Sequence, residues 1–102
     1  MPKLYKINGD VVELTPNNGK FFTLEELYRH CDCELIQIVP MPSGLQLVCD
    51  DEGKLKSPLQ VNQKATEIWK KEYPIEKYTE NNDELVVGNV IICEEKYLEG
   101  EE

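Results

Sequence analysis

Pro40-Met41-Pro42-Ser43-Gly44 separates two apolar runs, and no regular element passes through it. Two prolines remove backbone donors there, and Gly44 can take a positive φ at little cost. The first run is Leu35-Ile36-Gln37-Ile38-Val39 and the second is Leu45-Gln46-Leu47-Val48-Cys49. Both have strand length and are rich in β-branched or bulky apolar residues. A five-residue link is normal for a hairpin. A short buried helix is the competing reading, and the flanking prolines and β-branching argue against it. Each run holds one polar residue, Gln37 or Gln46. A strand wet on one face should alternate cleanly. These do not, so both strands are expected to be covered on two faces or to lie mid-sheet.

Upstream, Leu4-Tyr5-Lys6-Ile7 and Val11-Val12-Glu13-Leu14 flank Asn8-Gly9-Asp10. Asn-Gly predicts a first hairpin with a type I′ turn. Thr23 with Glu26 three residues later forms a capping box, and Phe22 can staple onto Leu27. Leu24, Leu27, Tyr28 and Cys31 recur at helical spacing, which predicts a helix over 24–31. Asn62 can cap a second helix running to about Tyr73, with Ala65, Ile68, Trp69 and Tyr73 on its inner side. Pro74 ends it. Glu80 to Asp83 reads as a polar turn. Leu85 to Cys93 is the most apolar stretch and reads as one strand, interrupted at Gly88, near the sheet centre.

The order β-β-α-β-β-α-β, with hairpin-like links, predicts an α+β fold. We expect a small, mostly antiparallel sheet with two helices packed on one face. A chain of 102 residues allows one domain. That domain is placed at 1–93, with 94–102 as an acidic, frayed tail.

No apolar run reaches the roughly 20 residues of a membrane span. The N-terminal stretch lacks a signal-peptide core, so a cytoplasmic protein with reduced cysteines is expected. The net charge is −9, from 20 acidic and 11 basic residues. Direct binding to a nucleic-acid backbone is therefore disfavoured. Residues 54–77 carry a net +3 and the remainder −12. That basic stretch reads as a solvated helix face, or as a patch for an acidic partner or a second copy of the chain.

His30-Cys31-Asp32-Cys33 is the most ligand-rich run. Cys-x-Cys is not the usual zinc-knuckle spacing, and Cys31 continues an apolar helix face, so core thiols are expected rather than a metal site. Asp50-Asp51-Glu52 could hold a hard cation, but the calcium-loop pattern is absent and a solvated turn is the simpler reading. A single histidine leaves little for histidine chemistry. No nucleophile with its base is recognisable, and neither a phosphate loop nor a nucleophile elbow is present. We expect no enzyme activity and no cofactor.

The run I-Q-I-V-P-M-P-S-G-L-Q-L-V-C-D-D-E-G-K-L, then N-Q-K-A-T, then V-V-G-N-V-I-I resembles a family of small proteins known as domain of unknown function 3846. The similar part spans roughly residues 20 to 93. The matching pieces are the Pro40/Pro42 loop, Asp51-Glu52-Gly53-Lys54, Asn62 with Ala65-Thr66, and Gly88. The resemblance implies an α+β fold and a phage, plasmid or gut-bacterial setting. It implies no activity.

Glu52, Gly53, Lys54, Asn62 and Lys64 flank the entry to the second helix and are the candidate binding residues. They could shape a polar pocket. The plainer reading gives Gly53 the turn, Lys54 the surface and Asn62 the cap. The expected function is a non-catalytic adaptor or phage-type inhibitor whose partner is another protein. An acidic surface imitating nucleic acid is one form of it. The alternative is a small-ligand or nucleotide-sequestering protein using the pocket near Glu52–Lys54 and Asn62.

Overall fold

The computed structural model describes residues 2–55, 58, 60–72 and 85–98. The expected order is observed: β1 (Lys3–Tyr5), β2 (Val11–Glu13), α1 (Leu24–Cys31), β3 (Ile36–Pro40), β4 (Leu45–Asp50), α2 (Gln63–Glu72) and β5 (Val90–Glu94). The five strands form one antiparallel sheet in the order β2-β1-β5-β4-β3. The turn expected at Glu80–Asp83, and Tyr73 and Pro74, lie outside the described residues.

Both hairpins close by one device. Gly9 and Gly44 each have φ 98°. Gly9 N–H donates to Lys6 C=O and Lys6 N–H to Asp10 C=O. Gly44 N–H donates to Met41 C=O and Met41 N–H to Leu45 C=O. This is a turn followed by a left-handed glycine bulge, so the type I′ expectation for Asn8-Gly9 is corrected. Only Gly9 there has a positive φ, because the loop is one residue longer than a two-residue turn.

α1 starts as its sequence dictates. Thr23 Oγ1 accepts from Glu26 N–H, and Glu26 returns a carboxylate oxygen to Thr23 N–H at 2.8 Å. Its other oxygen accepts from Asn17 N–H at 2.8 Å. The helix ends at Asp32 in the left-handed region, φ 55°. Phe22, Leu27 and Cys31 sit in a core cluster with Leu4, Val48, Ile91 and Cys93.

α2 belongs to a different cluster. Ala65, Ile68 and Trp69 pack with Met41, Leu47, Val90 and Ile92. Along β5, Val90 and Ile92 serve this cluster, while Ile91 and Cys93 serve the other. Successive strand residues point to opposite faces. The two helices therefore cover opposite faces of the sheet, which corrects the expectation that both pack on one face. The physical reason lies in β5, which is buried from Val90 to Cys93. Two helices on one face would leave half of that run in water.

A second correction concerns β3. β4 lies between β5 and β3, but β3 is an edge strand, and Ile38 is 44 % exposed. Residues 94–98, placed in the acidic tail from sequence, take part in regular structure. Glu94 closes β5, and Glu95–Leu98 forms a 3-10 turn. Tyr97 and Leu98 of that turn pack on the α1-side core, and Tyr97 C=O accepts from Phe22 N–H.

Candidate functional site

Asn62 is fully buried and caps α2, its Oδ1 accepting from Ala65 N–H at 3.1 Å. Its amide nitrogen donates to Tyr5 C=O and to Gly88 C=O, each at 2.8 Å. Its own N–H donates to Val86 C=O at 2.8 Å. One side chain therefore ties β1, α2 and the chain entering β5. The same entry is held from several sides. Thr66 Oγ1 donates to Val86 C=O and accepts from Val86 N–H. Gly88 N–H donates to Gln60 C=O, and Val61 pairs with Val87.

Gly53 serves this segment too. It starts a 3-10 turn at Gly53–Leu55 and is buried. A Cβ added to it would stand 2.6 Å from Val87 Cγ2. The requirement for glycine here is close approach rather than a positive φ. Glu52 is exposed, and its N–H donates to Asp50 Oδ1 at 2.9 Å. Lys64 is exposed on α2. Lys54 lies in the 3-10 turn. The structure thus brings Gly53 and Asn62 together on the Val86–Gly88 segment, with their polar and steric capacity committed to the fold. Glu52 and Lys64 stand at the surface.

The cleft beside Gly53 is lined by Asp32, Asp50, Gln60, Gly88 and Asn89 among others. A neighbouring hollow is bordered by Asp32, Cys33, Glu34, Asp50 and Glu52. Both present carboxylates. Among the described residues, no group of three or more histidine, cysteine or acidic side chains is placed to hold a metal ion. No disulfide joins Cys31, Cys33, Cys49 and Cys93. Burial pushes the Cys31 thiol far up, helped by Cys33 and Cys49, and pushes Cys93 to about 12. Burial disfavours the thiolate form in both, the form a cysteine nucleophile requires. Cys31 instead donates to Val48 C=O at 3.6 Å.

What the site residues inferred from sequence missed lies on the α2 face. Val39, Leu47, Trp69 and Val86 line a groove of about 280 Å³, with Gln37, Cys49, Asp50 and Asp51 beside them. That volume is at the small end of ligand pockets, which run from about 300 to 1,000 Å³. The groove adjoins the β3 edge, where Gln37, Ile38 and Pro40 are exposed. From Leu35 to Cys49 the chain carries no charge. Among the described residues, no helix is long and apolar enough to cross a membrane. The signal that could have found this surface was the uncharged run itself, which reads equally well as a buried strand.

An antiparallel sheet with a helix on each face, held by an asparagine knot and a buried glycine, places Gly53, Asn62, Ala65 and Thr66 of the matched positions in the scaffold. Comparison with protein families identifies the chain: it belongs to the family described as Domain of unknown function (DUF3846), matched over residues 5–102. The match reaches further in both directions than the 20–93 resemblance. No curated protein and no solved structure matches this chain.

Proposed function

We propose that this chain is a protein-binding module without catalytic chemistry, docking a strand of its partner along the β3 edge. The observation that carries this reading is the exposed, uncharged edge lying beside a groove lined by Val39, Leu47, Trp69 and Val86, with Asp50 and Asp51 next to them. Edge strands usually carry charge or bulges that prevent pairing, and added strands gain main-chain hydrogen bonds there. The groove would seat an alternate side chain of the added strand.

A basic partner segment has support in the carboxylates of Asp32, Glu34, Asp50 and Glu52 around one hollow. An inhibitor that imitates nucleic acid would use such a face. Nucleotide sequestration has less in its favour. The Asn62 amide is committed to two carbonyls, and the cleft beside Gly53 is lined by Asp32 and Asp50, whose charge opposes a phosphate.

The test is affinity capture from a bacterial lysate with the native chain and with Ile38→Lys, each eluted through a salt gradient. A partner held by the native chain and lost with the variant is expected. Equal capture by both overturns docking at the edge. Release at low salt would mark a charge-driven partner, and retention at high salt an apolar one.

A further inference from the structure

β3 has a two-fold pattern. Leu35-Ile36-Gln37-Ile38-Val39 reads almost the same from either end, with Gln37 at its centre. Hydrogen bonding to β4 falls on alternate residues. Met41 N–H donates to Leu45 C=O, and Asp51 N–H donates to Leu35 C=O. With Gln37 opposite Cys49 and Val39 opposite Leu47, the residues bonded to β4 are 35, 37, 39 and 41. The N–H and C=O groups of Ile36 and Ile38 therefore point away from β4, to the outside of the sheet.

We propose that two copies of this chain pair antiparallel along β3, about a two-fold axis at Gln37. This rests on the protein-binding reading and names the partner. In that register Ile36 of each copy faces Ile38 of the other. Each such pair exchanges two N–H···O=C bonds, giving four across the seam, and all outward groups of Ile36 and Ile38 are used. Pro40, which has no N–H to give, lies outside these four bonds.

The side chains agree with the backbone. Ile36 meets Ile38 of the second copy on the α1 side, and Leu35 meets Val39 on the α2 side. Leu35 and Ile38 are 47 % and 44 % exposed in the single chain. Gln37 meets its own copy across the axis, amide to amide. Each copy carries −9, so most faces repel, whereas residues 35–49 bear no charge. The opposite edge, β2, has only three residues and is flanked by Asp10 and contains Glu13. The joined sheet would have five strands from each copy.

A seam of five residues a side falls below the ~800 Å² per partner of a standard interface, so a weak dimer is expected. Sedimentation equilibrium of the full chain from about 10 µM to 1 mM would show it. Added salt should strengthen the dimer by screening the net charge. Ile38→Lys alters an exposed side chain and should weaken association at least about tenfold. Gln37→Cys combined with Cys49→Ser, since Cys49 stands opposite Gln37 within the chain and would capture the new thiol, should cross-link the copies under mild oxidation, because non-bonded cross-strand pairs stand about 4.5 Å apart at Cα. The Cys49→Ser chain, with its three remaining cysteines, is the control. Support requires both results. A monomer at 1 mM, a dimer indifferent to Ile38→Lys, or no cross-link above the control overturns the proposal. If capture nevertheless finds a foreign protein that Ile38→Lys abolishes, self-pairing fails and the binding-module reading stands.

Discussion

Asn62 shows how much one buried amide can organise. Its cap on α2 was legible from its place before the helix. Its hold on Tyr5 and Gly88 was not, since those contacts span 57 and 26 residues of chain. Replacement by alanine removes a cap worth about 1 kcal/mol. It also strands two inner carbonyls at about 1–3 kcal/mol each. Asn62→Ala should therefore lose about 3 kcal/mol or more in a urea titration. That is a large part of a stability of about 5–15 kcal/mol. A loss under 1 kcal/mol would mean the knot is not built as described. Asn62→Asp should be at least as damaging at neutral pH, because it aims a carboxylate at two carbonyl oxygens.

At the scale of the elements, the α1 N-terminus sets a pH dependence. Burial of the Glu26 carboxyl raises its pKa, but hydrogen bonds from Thr23 and Asn17 and the Arg29 charge outweigh this. The net effect holds it below its ordinary value of 4.5. A carboxyl with a lower pKa folded than unfolded stabilises fully above the unfolded value, and that contribution is lost as pH falls through the folded value. Thermal melts should show the native chain losing stability below about pH 4.5, more steeply than Glu26→Gln. Parallel curves for the two would refute the assignment.

The elements were also where sequence reasoning was strongest and then stopped. Periodicity and caps placed α1 at its observed ends, and α2 began one residue after its cap. Whether an apolar strand is central or peripheral is a property of its neighbours. β3 and β4 look alike in sequence, yet among the described residues only β4 has a strand on both sides. The helix faces were legible in principle. A run such as Val90-Ile91-Ile92-Cys93 demands cover on both sides, and two helices were available to give it. The candidate site failed for a related reason. Asn62 and Gly53 look like exposed polar and turn residues in sequence, but the fold draws both inward to the Val86–Gly88 segment.

For the whole molecule, the sheet order carries a consequence for synthesis. β5 follows the other four strands in the chain but lies at the middle of the sheet, between β1 and β4. A nascent chain emerging from the ribosome holds two separate hairpins, β1–β2 and β3–β4, whose pairing into one sheet runs through β5. An isolated hairpin is marginal in water. Neither apolar cluster is complete until Glu94 has emerged, so the chain must fold late and all at once rather than from its start. A version stopped after Asn89 should melt without a cooperative transition. A sharp melt from that version would show that the early strands can hold themselves together.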